Sequence, residues 1–285
     1  MPVFTPPSSH VAKAAAFRGL HHEAHPLLLP NAWDPISAWV IQAGGAKAIA
    51  TTSAGVAWSR GVADGSGLDA STALDAVARI LAAVDVPLSA DLERGYHESP
   101  SQAAETVAEA IRLGVCGVNI EDSVGGTLVD PADQVDLLGR VAGVVKYSGV
   151  PIFINARTDT FLFADPASDV EALVEETVSR GRSYADAGAD GLFVPGIADR
   201  DVIMRIAMGV PVPINVMVGA APVAVAEMAD LGVRRISWGS QVAQSTFGWL
   251  QRQVGELLGS DGGAGMPAGL DFGPTNAALH FGAQA

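Results

Sequence analysis

Four segments of the chain, residues 43–51, 113–121, 187–194 and 231–238, share one local design: a glycine follows a helical stretch and a short apolar run begins. Glycine takes the left-handed conformation that closes a helix, so each segment reads as a helix-to-strand joint. Three segments of another kind alternate with them, 86–91, 150–157 and 212–217, each with a proline at the start of a strand, where the missing N–H is tolerated. Adding Leu27, Leu28 and Leu29 between their two prolines gives eight strands. Helical stretches over 74–84, 102–113, 170–187 and 223–231 lie between them. Near-continuous apolar strands separated by amphipathic helices imply a parallel sheet covered by helices, and eight units predict closure into an α/β fold of the (β/α)8 TIM type. An open doubly wound sheet is the alternative, and no G-x-G-x-x-G fingerprint supports its dinucleotide-binding form.

An extra N-terminal helix is expected over 11–20, and a helix over 242–258 comes after the eighth strand. Residues 1–258 are therefore read as one barrel domain, and 259–285 as a glycine-rich linker with a C-terminal tail. Composition admits both a loose tail and one that packs on a neighbouring subunit.

The chain has 285 residues, 49% hydrophobic and 17% charged, enough apolar material for a large core. Its net charge of −14 repels phosphate backbones and anionic lipid, which argues against nucleic acid or a membrane as partner. Cys116 is the single cysteine, and the first residues lack the basic end and apolar run of a signal peptide, so a cytoplasmic location is expected. No apolar run approaches the roughly 20 residues needed to span a bilayer.

In such a barrel the loops after the strands build the site. The polar and turn-forming residues just past the successive apolar runs are Asn31, Trp33 and Asp34; Thr51, Thr52 and Ser53, with Asp64 beyond; Asp91 and Glu93; Glu121 and Asp122; Arg157 and Asp159; Pro195; Asn215; Ser237 and Ser240. Acids at adjacent strand ends raise each other's pKa unless a cation sits among them. Oxygen ligands without a histidine cluster or paired cysteines favour magnesium or manganese over zinc, with Asp91, Glu93 and Glu121 as the candidate ligands. The three lysines, Lys13, Lys47 and Lys146, all lie before strands or in helices, which excludes a Schiff-base amine at the rim. The small-residue turn Thr52-Ser53-Ala54 can turn backbone N–H groups onto a carboxylate or phosphate. Structural roles are open to the same residues: an acid after a strand caps helices, Arg157 can neutralise Glu121, Asn215 can satisfy backbone groups, and Cys116 can be a small core residue.

Taken in order, Asn31-Ala32-Trp33-Asp34, Thr51-Thr52-Ser53-Ala54-Gly55 with Gly61 and Asp64, Asp91-Leu92-Glu93-Arg94-Gly95-Tyr96, Asn119-Ile120-Glu121-Asp122 and Asn155-Ala156-Arg157 resemble the isocitrate lyase and phosphoenolpyruvate mutase superfamily. That resemblance implies a magnesium-dependent barrel that cleaves or forms C–C or P–C bonds next to a 2-oxo or 2-hydroxy acid, through a pyruvate-type enolate. It implies Asp91 as direct metal ligand, Glu93 and Glu121 as holders of its waters, and Asp64 as a further acid. Ser53 and Ala54 amides would seat the substrate carboxylate, Arg157 would stand beside the enolate, and Asn215 would touch substrate. It also implies a homo-oligomer, dimer or tetramer, with terminal helices exchanged.

The lyases of the superfamily carry Lys-x-Cys-Gly-His in the loop after strand four, whereas this chain has Ser123-Val124-Gly125-Gly126-Thr127-Leu128-Val129-Asp130. The expected activity is a lyase or decarboxylase on a small 2-oxo or 2-hydroxy carboxylic acid, with Ser123, Thr127 and Asp130 as loop candidates for proton transfer. P–C bond chemistry on a phosphonate and a non-catalytic barrel that binds 2-oxo acids are the alternatives.

Overall fold

The computed structural model describes residues 5–65, 67–219, 224–259 and 266–278. The strands, in chain order, are β1 (Leu27–Leu29), β2 (Asn31–Ala32), β3 (Ile49–Thr51), β4 (Leu88–Asp91), β5 (Gly117–Glu121), β6 (Ser123–Val124), β7 (Thr127–Leu128), β8 (Phe153–Arg157), β9 (Gly191–Val194), β10 (Ile214–Met217) and β11 (Val233–Ser237). Nine of them form one parallel sheet in the order β1-β11-β10-β9-β8-β5-β4-β3-β2. The first expected strand is in fact two. Pro30 separates β1, which registers Leu28 against Ile236, from β2, which registers Ala32 against Thr51. Proline has no N–H to give a neighbour, but its carbonyl accepts from the Ala50 amide at 2.9 Å. The two pieces thus hand the sheet from β11 to β3, and the TIM-type barrel closes.

The helices are α1 (Ser8–Leu20), α2 (Pro35–Ala43), α3 (Ser53–Ser59), α4 (Ala70–Leu81), α5 (Pro100–Leu113), α6 (Pro131–Ser148), α7 (Val170–Asp186), α8 (Arg200–Gly209), α9 (Val225–Asp230), α10 (Gln241–Gly259) and α11 (Phe272–Ala278). The four joint glycines behave as their sequence implies: Gly45, Gly114, Gly188 and Gly232 have φ of 91°, 114°, 105° and 90°. α4 starts earlier than its apolar pattern suggests because Asp69 caps it, accepting from the Thr72 amide at 2.7 Å. Asp34 is likewise a cap, in a reciprocal box with Ser37 that opens α2.

α1 closes the bottom of the barrel. His10 Nε2 lies 2.8 Å from the Val115 carbonyl, and Arg18 grips Asp190 with two nitrogens at 2.6 Å each. Phe17 is fully buried under Gly117, where a Cβ would come within 2.6 Å of its ring. His21 stacks on Phe153 at 3.7 Å, and burial, aided by Arg235, pushes its pKa down to about 3.

At the other end of the chain α10 packs little: Ala243 is its one buried residue, while Phe247, Trp249, Leu250 and Leu258 are exposed. Beside β1, a groove of about 620 Å³ lined by Leu27, Leu28, Ile41, Val225 and Trp238 is left uncovered by the described residues. Of the expected linker, 260–265 lies outside the described residues, and Gly259 ends α10. Among the described residues, no helix is long and apolar enough to cross a membrane.

Candidate active site at the barrel mouth

The turn after β4 brings two acids together by using backbone that most residues avoid. Glu93, Gly95 and Tyr96 have φ of 49°, 84° and 61°. A Cβ on Gly95 would stand 2.6 Å from that of Ala103, so only glycine fits there. Bulky residues at positive φ cost energy, and such strain persists where the surroundings fix it. Here the turn holds the ends of β4 and β5 in register, with the Glu121 amide donating to the Glu93 carbonyl at 3.0 Å.

Asp91 ends β4 and is tied to β3: its amide donates to Thr51 Oγ1 at 2.8 Å, and its carboxylate accepts from the Ser53 amide at 3.0 Å. The Ser53 N–H expected to face a ligand is thus directed at Asp91. Thr52 is buried, at the N-cap of α3, and makes no side-chain cap.

The acids around Asp91 crowd one another. Burial, Asp91 and Asp64 raise Glu93 to about 7, against the pull of Arg157. Burial raises Glu121 to about 8, opposed by Arg157 and reinforced by Asp91, Asp159 and Glu93. Asp64, on the rim loop, is also raised, by desolvation and then by Asp91, while the Ser53 hydroxyl and Arg157 lower it. Among the described residues no three acids, histidines or cysteines converge closely enough to form a ready-made metal cage. Asp64, Glu93 and Glu121 thus stay raised even with Arg157 beside them.

Arg157 faces them from β8. Glu121 and Arg157 are register partners, and Glu121 Oε2 lies 2.9 Å from Arg157 Nη1. Asp159 takes the other side of the guanidinium, accepting from Nε at 2.6 Å and Nη2 at 3.2 Å. Burial opposes the charge of Arg157, but Glu121, Asp159 and Asp91 outweigh it and hold the pKa above the ordinary arginine value. The Phe193 ring lies 5.7 Å from its central carbon, within cation–π range.

A second layer, unforeseen from the sequence, fixes Asp159. Its amide donates to Asp122 Oδ1 at 2.9 Å, and its carboxylate accepts from Ser123 Oγ at 2.5 Å. Asp122 Oδ2 in turn accepts from Tyr184 Oη at 2.7 Å and Arg180 Nη1 at 3.2 Å. Arg180 also donates to the Val129 carbonyl at 3.0 Å, which ties down the far end of the β6–β7 hairpin. The expected loop candidates separate here: Ser123 is buried on Asp159, Thr127 is exposed on the hairpin, and Asp130 caps α6.

Asn215 lies deeper. It is 1% exposed, with Oδ1 accepting from Ser237 Oγ at 3.2 Å and Nδ2 unpartnered. The neighbouring Arg235, equally buried, donates to Asn119 Oδ1 at 3.1 Å, and burial lowers its pKa to about 9. Cys116 is at the bottom of β5, its thiol raised to about 11 by burial, and takes no part in the mouth. Trp33 packs against Phe247 of α10, 5.7 Å between ring centres.

The phosphoenolpyruvate phosphomutase family matches residues 17–258. An uncharacterized protein of Mycobacterium tuberculosis is 37% identical over 79% of this chain and 82% of its own length. The 2-methylisocitrate lyase of Escherichia coli is 30% identical, covering 70% of this chain and 67% of that one. A solved structure from Burkholderia cenocepacia, assigned provisionally as a phosphonomutase, is 40% identical with a TM-score of 0.83, covering 86% of this chain and 99% of that one. With the strand-end acids, the paired guanidinium and the closed parallel barrel in view, the chain belongs to the phosphoenolpyruvate phosphomutase family, within the PEP mutase/isocitrate lyase superfamily.

Proposed function

We propose that this protein is a magnesium-dependent lyase or decarboxylase that acts on a small 2-oxo or 2-hydroxy carboxylic acid through a pyruvate-type enolate. The observation that carries the reading is the position of Arg157, held on three nitrogens by Glu121 and Asp159 and facing Asp64, Glu93 and Glu121, which stay raised despite it. Carboxylates raised to about 7 and about 8 fit a site that ionises fully only when a cation arrives. Asp91 would hold magnesium or manganese, with Glu93 and Glu121 reaching its waters and Asp64 close by. Bound there, the ion would polarise the carboxylate and ketone oxygens of a 2-oxo acid.

The residues supply the rest. Arg157 is preorganised, so charge that develops on the ketone oxygen meets a fixed cation with no reorganisation at the moment of reaction. The amide of Ala54 and the buried Thr52 stand at the uncapped start of α3, suited to the substrate carboxylate, while the Ser53 amide orients Asp91. Asn215 Nδ2, lacking a protein partner, suits contact with substrate from below.

Pyruvate release and phosphate release, measured side by side on 2-oxo acids, 2-hydroxy acids and phosphonopyruvate with magnesium or with chelator, test the reading. Magnesium-dependent pyruvate release without phosphate is expected. Phosphate release would favour P–C chemistry, the reading suggested by the provisional phosphonomutase relative. Ligand binding with no turnover would leave a binding barrel.

We further propose a homo-oligomer in which α10 of one copy covers the groove beside β1 of another. The exposed apolar residues of α10 and the exposed Leu28 and half-buried Ile41 of the groove support this.

A further inference from the structure

Beneath the mouth, the barrel interior holds a second cation. Arg235 is 1% exposed, and it donates from Nη2 to Asn119 Oδ1 at 3.1 Å. Arg235 stands on β11 and Asn119 on β5, and three strand positions separate the two in either direction around the sheet, with β1 and β2 sharing one. The guanidinium therefore crosses the barrel axis to reach the opposite wall. Asn119 is the register partner of Asp91 and precedes Glu121 by two residues on the same face of β5, so the charge sits one layer below the mouth.

Nothing in that layer neutralises it. Among the described residues, the buried charges Asp122, Asp159 and Arg180 each have an opposite charge within 3.2 Å, whereas Arg235 forms no ion pair. Its interior neighbours are amides. Asn155 Nδ2 shares the Asn119 Oδ1 acceptor at 2.8 Å, and Asn215, the register partner of Arg235, leaves its own Nδ2 unpartnered. Arg235 Nε and Nη1 are unpartnered as well. His21, whose ring stacks on Phe153 at the bottom of the barrel, is pushed further toward its neutral form by this guanidinium. The acid that supports the charge is Asp91, above it at the mouth.

A buried cation without a partner is costly, and an apolar side chain of similar volume often replaces one without loss of stability. Retained on the axis despite that cost, Arg235 acts on the charges that gather above it. It attracts an anionic substrate and the enolate, because its charge is fixed before either forms. It also opposes a divalent ion at Asp91, since like charges repel across the same short span.

Resting on the magnesium and enolate reading, we propose that Arg235 is a second resident cation of the active site, which strengthens the hold on the substrate anion from below and weakens the hold on magnesium.

Calorimetry of the full chain tests it with two probes: magnesium alone, and oxalate, an enolate mimic, at saturating magnesium. Arg235→Met should bind magnesium about 10-fold tighter and oxalate about 10-fold weaker than the unaltered protein. Arg235→Lys, which keeps the charge without the planar fork, should hold both constants within about 3-fold. The opposite signs set this role apart from a structural one, in which a loosened mouth would weaken both ligands together. A folded Arg235→Met that does not move the two constants in opposite directions overturns the proposal, as does an Arg235→Lys that behaves like the neutral variant. Arg235→Gln, which keeps a donor for Asn119, is read in the same way if Arg235→Met does not fold. Failure of both neutral variants to fold makes Arg235 a structural residue and likewise overturns the proposal. If the unaltered protein binds neither magnesium nor oxalate with magnesium, the enolate site itself falls, and the role of Arg235 with it.

Discussion

Glu121 and Asp122 are consecutive at the end of β5, yet one faces the mouth among Asp91, Glu93 and Arg157 while the other faces α7 and is enclosed by Tyr184, Arg180 and the Asp159 amide. A strand sends successive side chains to opposite faces, so two adjacent acids fall into different regions. Behind the mouth, the lone pairs of Asp122 and Asp159 meet six donors, two from Arg157 and one each from Tyr184, Arg180, Ser123 and the Asp159 backbone. At the mouth, four carboxylates crowd one guanidinium, and Asp64, Glu93 and Glu121 are raised by burial and by their neighbours. A buried acid with its partners holds structure, whereas acids left short of partners keep a place for something that arrives later.

The sharpest way to break this contrast is to exchange the expected effects. Asp91→Ala should lower magnesium-dependent turnover by roughly 1000-fold or more, while the melting temperature of the metal-free protein stays level or rises because one repelling charge is gone. Steady-state kinetics and thermal melts with chelator check both halves, and a destabilised Asp91→Ala would place Asp91 with the structural set. Asp122→Ala should do the opposite, costing about 3 kcal/mol by leaving the Tyr184 hydroxyl and the Asp159 amide without their buried acceptor while Arg180 keeps Glu176 and the Val129 carbonyl, as measured by denaturant unfolding. A protein that kept its stability would show the rear network to be dispensable.

pH gives a smaller but more direct comparison. Folded values of about 7 for Glu93 and about 8 for Glu121 lie above the ordinary 4.5. As pH rises past 4.5 the unfolded chain gives up these protons while the folded chain keeps them, so the metal-free protein should lose stability up to about pH 8 and then level off. Magnesium should flatten that decline, since it favours the ionised acids; melts across pH with and without the ion would show it. A flat metal-free profile would mean that the crowding is already relieved. The mildest expected effect is that of Ser123→Ala, which removes one donor from Asp159 and should cost about 1–2 kcal/mol, with a modest fall in turnover as Arg157 loosens.

The barrel was legible because its punctuation is local: a glycine that must turn left-handed and a proline that must stand at a strand's start declare themselves within a few residues. The break at Pro30 was not, since whether a proline ends a strand or divides it depends on which neighbours claim its two sides. At the mouth, Asp91, Glu121 and Arg157 could be found because each ends an apolar run. The network behind them could not: Arg180 and Tyr184 are 58 and 62 residues from Asp122, and in sequence they are merely an arginine and a tyrosine four apart on a helix. Their spacing puts them on one face, but nothing nearby names the acid they serve.

The helix at the bottom of the barrel has a consequence for the order in which the molecule is made. α1 leaves the ribosome early, yet its anchors are Val115, Ile152 and Asp190, between 105 and 172 residues further on. Until most of the chain has been synthesised, Phe17 and its neighbours have nowhere to settle, and the growing polypeptide carries an apolar segment that waits for its own later half.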